Sequence, residues 1–459
     1  MTPFADFLYF GVLLYIAAPS VIPGLAGRVR LAQFWILAAT AIMLVVQYGT
    51  PVTLWNNAAV NEVLIVAAYA LTEWLVAAGF LLIRQRAKHP HLRAVQVSRA
   101  AYYAALAGAL LPLALTKFTP LVAPQFVFGF LGISYVTFRS VDVVIGIQDG
   151  LIAELPIAQY LAFLLFFPTI SSGPIDRYRR FAQDWKRKRT RAEFLQDLDG
   201  AVRRFFKGLL YKFIFAALIE QYWMNPVARG ANLGDIAAYM YAYSFYLFFD
   251  FAGYSNFAIA LSYLLGVHTP ENFNRPFFSQ NIREFWDRWH ISLSGWFRDH
   301  VYTRFVFAAT KGKWFKSKYT ASYLGFWLSM GLMGLWHGTA WYYLLYGFYH
   351  GTLLVLHDLF ARWDKSRKVW GKNLFWRALS ICITFNLVCF SFLIFSGRLS
   401  AAALAPTPPP TSVAPASTVT PTPVSSRAAT PTPTRALRPI AATSRTPTPI
   451  AMKTHAPAR

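Results

Sequence analysis

Two histidines stand where an ionisable side chain is expensive. His290 lies in NIREFWDRWHISLSGWFRDHVY (281–302), a stretch dense in aromatics and charges; His337 lies in MGLMGLWHGTAWYY (330–343), apolar apart from it and a few hydroxyls. An imidazole changes charge near neutral pH and can take a proton from a hydroxyl, as a general base must. Ionisable groups inside apolar segments are functional suspects. Each has a plainer alternative: His290 bonding a backbone carbonyl, His337 filling a structural niche. Gly331, Gly334 and Gly338 remove bulk around His337, either for close helix approach or for a ligand. Asp250, amid aromatics in YSFYLFFDFAGYSNFAIA (243–260), offers a similar choice between a structural pair to an arginine or tyrosine and a direct role. His350 and His357 look ordinary.

The elements that must position these residues follow from composition. The 459 residues are 56% hydrophobic and only 14% charged, against ~25% charged in a soluble domain. Apolar runs recur at Phe4–Pro23, Leu31–Gly49, Val63–Ile83, Ala100–Phe118, Phe126–Ile147, Pro156–Ser172, Phe206–Trp223, Ile236–Gly266, Ala321–His337, Ala340–Leu359 and Trp376–Ser396. A crossing needs ~20 apolar residues, so the chain reads as an all-α polytopic membrane protein. The first run lacks a basic leader and a cleavage site and reads as a retained span. The net charge of +24 sits in short loops, which excludes nucleic acid and fits positive-inside topology. Loops at Arg28 and Arg86 are then cytoplasmic and the N-terminus outside. Cys382 and Cys389, seven apart, are too distant for a disulfide, and no metal-type cysteine spacing occurs.

The loop after Ser172 (DRYRRF, then DWKRKRTR) is the most basic of all. If 126–147 and 156–172 both crossed fully, it would fall outside. Pro168, Gly173 and Pro174 therefore mark a broken, re-entrant segment at FFPTISSGP (166–174), tolerated at membrane depth only beside protein or a wet cavity. Asn281 with Glu284 reads as a capping box opening an interfacial amphipathic helix. Phe285, Trp289, Leu293 and Trp296 share one arc, and Arg283, Glu284, Asp287, Arg288, Arg298 and Asp299 the other; His290 projects at the border, near Trp286 and Phe297. Phe305, Val306 and Phe307, beside Lys311, Lys313, Lys316 and Lys318, form either an interface anchor or a docking patch. Residues 398–459 are Pro/Thr/Ala-rich, with no acidic residue, and read as a disordered tail after a membrane domain of 1–397.

FWDRWHISLSGWFRDHVY (285–302) followed by MGLMGLWHGTAWYYLLYGFYHG (330–351) resembles the membrane-bound O-acyltransferase (MBOAT) family. LFFPTISSGPIDRYRRF (165–181) and FYLFFDFAGYS (245–255) look like its D-alanyl-transfer (DltB) branch, which serves teichoic acid modification. Alginate O-acetyltransferases share the general scheme. His300 departs from the tyrosine usual after Arg-Asp, which puts local hydrogen bonding in doubt, and the tail is foreign to the family.

The resemblance implies a ring of about 11 transmembrane helices, with re-entrant and interfacial helices, around a central pore in the bacterial plasma membrane. It implies His337 as the catalytic histidine and His290 as its companion. Trp286, Trp289, Ser292, Asp250, Arg298 and Trp336 would support the pore or motif. Trp N–H groups and His290 are the candidates for stabilising an oxyanion. No permanently bound cofactor or metal is implied. The donor would be D-alanine on the phosphopantetheine arm of a carrier protein docking at Phe305–Phe307, with other teichoic acid D-alanylation proteins as partners. The rivals are O-acetyl transfer to an exported polysaccharide, a transporter or flippase, which many spans and broken helices also fit though no motif repeats, and a heme or metal protein using the two histidines.

Overall fold

Apolar runs become helices, as a backbone shielded from water must. The computed structural model describes residues 3–4, 7–26, 32–49, 51–53, 59–86, 94–122, 129–371 and 373–400. Helices α1 (Phe7–Leu25), α2 (Ala32–Tyr48), α3 (Glu62–Arg86) and α4 (Ala94–Val122) come first. Then follow α5 (Ile133–Gln148), α6 (Ile157–Leu164) and α7 (Tyr178–Lys186). α8 (Arg191–Leu209) opens on a capping box of Thr190 and Glu193 and continues to Val227 through two π-wound stretches. α9 (Leu233–Leu265) returns alongside it and stops at Gly266, which is left-handed at φ 81°. The last elements are α10 (Ile282–Trp286), α11 (Ile291–Phe297), α12 (Thr303–Lys311), α13 (Lys318–His337), α14 (Trp341–Arg367) and α15 (Leu374–Phe395). A strand pair, Pro51–Thr53 with Ala59–Asn61, is the only sheet among the described residues.

Four helical stretches among the described residues are long and apolar enough to cross a bilayer: Leu8–Leu25, Glu62–Arg86, Arg99–Leu121 and Leu374–Phe395. This is a narrower set than the eleven crossings expected, because α9, α13 and α14 match the length but carry polar side chains. Large apolar side chains such as Leu14 and Leu374 point outward, 72% and 81% exposed, which suits lipid rather than water. The chain divides into two units, Met1–Ala405 and Pro406–Arg459. The expected tail lies outside the described residues from 401 on.

The break expected at 166–174 is present. α6 has eight residues, ~12 Å at 1.5 Å per residue, too short to cross; a 3-10 turn at Phe167–Thr169 and an irregular, buried stretch follow. Its carbonyls are satisfied by protein. The fully buried Arg139 of α5 donates to the carbonyls of Phe163 (3.2 Å), Leu164 (2.9 Å) and Thr169 (2.7 Å). At Gly132, which is left-handed at φ 94°, a Cβ would sit 2.4 Å from the Ile170 carbonyl oxygen, so only glycine lets α5 start there.

The α13–α14 hairpin packs backbone against backbone. A Cβ on Gly334 would stand 2.3 Å from the Tyr343 carbonyl oxygen, and one on Gly347 2.3 Å from that of Met330. Of the two roles open to the glycines before His337, Gly334 serves close approach.

The candidate active site

The stretch 281–302 is not one continuous helix. Asn281 caps α10 by accepting from the Glu284 amide (2.9 Å), while the Glu284 carboxylate accepts from Gln280 rather than Asn281. The helix ends at Asp287. Trp289 then bridges antiparallel to Phe273, the Asn274 amide donates to Arg288 (2.9 Å), and the Ile291 amide donates to the Asn272 carbonyl (3.0 Å). These bonds to the 272–274 strand-like segment replace helical ones. His290 is left between α10 and α11 in the left-handed region, φ 42° and ψ 51°, rare for a non-glycine residue. The two arcs nonetheless bury as expected: Phe285, Trp289, Leu293 and Trp296 are inside, and Arg283, Asp287, Arg298 and Asp299 are exposed.

The His290 ring is buried, 4% exposed, and stands edge-on to Phe251 of α9 with centroids 4.7 Å apart. The turn at 290 swings it toward α9; of the two neighbours expected, Trp286 lines the same cavity and Phe297 does not. His337 is the last residue of α13, half-buried, with Trp336 at 4.5 Å and Phe395 at 4.8 Å. Both histidines line one cavity of about 60 Å³, together with Trp286, Trp289, Met333 and Tyr346. Trp286 and Met333 also line a second, larger cavity of about 380 Å³, whose wall includes Arg283, Asp287, Arg298 and Tyr302. Trp286 and Met333 thus form a wall common to both. His290 Nδ1 and the indole nitrogens of Trp286 and Trp336 are buried and have no hydrogen-bond partner among the described residues, a condition that asks for a reason in a folded protein. Such donors around a base could receive a polarised carbonyl. No cluster of three His, Cys, Asp or Glu side chains suited to a metal occurs among the described residues.

The other residues singled out from sequence divide. Trp289 stacks between Phe285 (5.7 Å) and Phe392 (4.7 Å). Ser292 accepts from the Ile175 amide (2.9 Å) and donates to Asn272 Oδ1 (2.6 Å), tying the broken segment to α11. Arg298 stands exposed in the larger cavity, 3.3 Å from Asp287. Trp336 packs on Tyr135 and Phe138. Asp250 does not line the cavity; it pairs with Lys212, not with an arginine or tyrosine, because the α8 extension brings the lysine alongside α9. On α12, Phe307 is 66% exposed, but Val306 faces α13 at Gly325, and Phe305 packs on Trp314. Phe307 and, after the helix, Trp314 are the large apolar side chains exposed in this region. Cys382 and Cys389 are both free, the first exposed and the second buried.

Three residues escaped sequence reasoning. Arg139 lay inside an apolar run. Asn272, fully buried, sat between the run ending at Gly266 and the stretch opening at Asn281, where no element was expected. His350 is far from ordinary: it is fully buried against Trp286 (4.8 Å), and neither ring nitrogen has a partner among the described residues. The His-Gly pair at 350–351, echoing that at 337–338, was the available signal. His300 is hydrogen-bonded after all: Asp142 Oδ1 lies 2.9 Å from its Nε2, and Arg177 shares that carboxylate.

The family described as MBOAT, membrane-bound O-acyltransferase, matches residues 133–401. The chain is 41% identical over 409 residues to the Teichoic acid D-alanyltransferase of Bacillus subtilis (strain 168), covering 87% of this chain and 98% of that protein. It is 44% identical over 307 residues to the protein of the same name from Streptococcus thermophilus, covering 63% and 74%. It is 34% identical over 269 residues to the Probable alginate O-acetylase AlgI of Pseudomonas aeruginosa, covering 58% and 48%.

Proposed function

Because this chain belongs to the membrane-bound O-acyltransferase family and is an acyltransferase, we propose that it transfers D-alanine toward teichoic acid hydroxyls. The observation that carries the reading is the pair His290–His337 on one small cavity, with a larger one on the other side of Trp286 and Met333. Similarity across nearly the whole length of a D-alanyltransferase favours D-alanyl over acetyl transfer. Family membership also favours acyl transfer over the transporter alternative.

In this reading the donor is a D-alanyl thioester on the phosphopantetheine arm of a carrier protein. The carrier docks on the cytoplasmic, basic face, against the exposed Phe307 and Trp314 beside Lys311 and Lys313. The arm is long and thin, so it alone enters the larger cavity and brings its thioester to Trp286 and Met333. His337, as neutral imidazole, takes the proton of the acceptor hydroxyl as that oxygen attacks the thioester carbon. Charge grows on the carbonyl oxygen, and the Trp286 N–H and His290 are the donors at hand; one such donor supplies about 3 kcal/mol. Collapse breaks the carbon–sulfur bond, and the thiolate leaves with the proton returned from His337.

The test is single-turnover transfer from D-alanyl-loaded carrier by purified protein. His337→Ala lowers the rate ~10²- to 10⁴-fold while the protein inserts and folds as before. Wild-type turnover in that variant would remove His337 from the chemistry, and equal turnover of acetyl-loaded carrier would remove the D-alanyl assignment.

A further inference from the structure

His290 is held in a backbone conformation that a histidine seldom adopts, and the surroundings must over-determine it. The restraints converge on one side chain outside the cavity. Asn272 is fully buried between α9 and α10. Its backbone carbonyl accepts from the Ile291 amide (3.0 Å). Its Oδ1 accepts from Ser292 Oγ (2.6 Å) and, at 3.4 Å, from the Ser292 amide. Its Nδ2 donates to Ser255 Oγ of α9 (3.2 Å). Ser292 Oγ in turn accepts from Ile175 (2.9 Å). Asn272 thus fastens the two residues after His290 to the helix whose Phe251 touches the His290 ring. Removing its side chain leaves the first turn of α11 free to relax to ordinary helical geometry, which rotates residue 290 away from the cavity.

We propose that Asn272 is a positioning residue that holds His290 in the cavity with His337. It lines neither cavity and acts through Ser292 and Ile291. This rests on the reading that His290 takes part in transfer.

The experiment compares variants of the full chain for transfer from D-alanyl-loaded carrier, with thermal midpoints measured alongside. Asn272→Ala removes the acceptor for Ser292. Asn272→Asp keeps an oxygen there for Ser292; its second oxygen accepts from the Ser255 hydroxyl in place of the lost donation, and the cost of a buried carboxyl is read in the thermal midpoint. Asn256→Ala is the control: its buried side chain lines the same polar cavity as Asn272 but donates only to Ala252 of its own helix (2.7 Å). The expected result is a kcat lowered about 100-fold in Asn272→Ala, as an ångström of misplacement costs. KM for the carrier stays within about twofold, since ground-state binding is untouched. Asn272→Asp recovers most of the loss, and Asn256→Ala stays near wild type. Equal losses in Asn256→Ala and Asn272→Ala, or wild-type kcat in folded Asn272→Ala, would overturn the proposal. If Asn272→Ala does not fold, Ser292→Ala decides, with the same kcat loss expected and wild-type kcat refuting it. His290→Ala, run in parallel, separates the two readings. Wild-type turnover there defeats the role of His290. Loss there, with wild-type turnover in the Asn272 and Ser292 variants, defeats only the positioning inference.

Discussion

Beyond the end of α9, outside the membrane-spanning helices, His268 shows how strongly neighbours set the charge of one imidazole. Its Nδ1 lies 3.7 Å from Asp184 Oδ1 and its Nε2 2.8 Å from Asp197 Oδ1, its backbone amide donates to Asp184 Oδ2 (2.7 Å), and Arg180 and Arg189 share those carboxylates. The bonds to Asp184 and then Asp197 outweigh burial and push the imidazole up to about 9, from ~6.5. A raised value means that the charged form stabilises the fold. That contribution is complete below ~6.5 and is lost as pH rises through about 9. The thermal midpoint should therefore fall between pH 7 and 9.5, and His268→Gln should flatten that fall. An unaltered slope in His268→Gln would exclude the histidine as its source. The sequence showed the residues of this kind unevenly. His290 and His337 stood out because an ionisable group in an apolar run is costly on its face. Asn272 did not, because its importance comes from what is packed against it, and no local pattern encodes that; His350, in an apolar run and followed by glycine as His337 is, carried the same signal and was passed over.

At the scale of elements, the periodicity of 281–302 correctly sorted buried from exposed residues but not the chain's continuity. The break before His290 is made by bonds from residues 272–274, a partner that a helical wheel does not contain. The converse holds at 166–174, where Pro168, Gly173 and Pro174 announced the break and only its partner was hidden. That partner makes a testable element. The planar guanidinium of Arg139 reaches three carbonyls on α6 and the turn after it. An ammonium is a single point donor and cannot span them. Arg139→Lys should leave at least one buried carbonyl unpaired, costing about 3 kcal/mol. A lowered thermal midpoint and faster proteolysis within 163–174 are the expected readouts. A variant that melts with the wild type would show that the fork is not what holds the broken segment.

For the whole molecule, the architecture was legible because family motifs and apolar runs fix it, whereas the passage was not. It forms where α9, α10, α11, α13, α14 and α15 meet, residues more than a hundred positions apart whose contact no spacing encodes. In the proposed path the thioester passes between Trp286 and Met333, which line both cavities, and Met333 is 2% exposed, so added bulk there goes into the cavities. Met333→Trp should stop transfer while leaving carrier affinity intact, since the proposed docking surface at Phe307 and Trp314 is untouched. Met333→Leu conserves volume and should cost little, less than about 1.5 kcal/mol in stability. The pair distinguishes a plug from a damaged fold: carrier titration gives binding, single-turnover transfer gives passage, and only the second should collapse. Wild-type transfer in Met333→Trp would mean that the thioester reaches the histidines by another route, and the two-cavity path would have to be given up even if His337 remained the base.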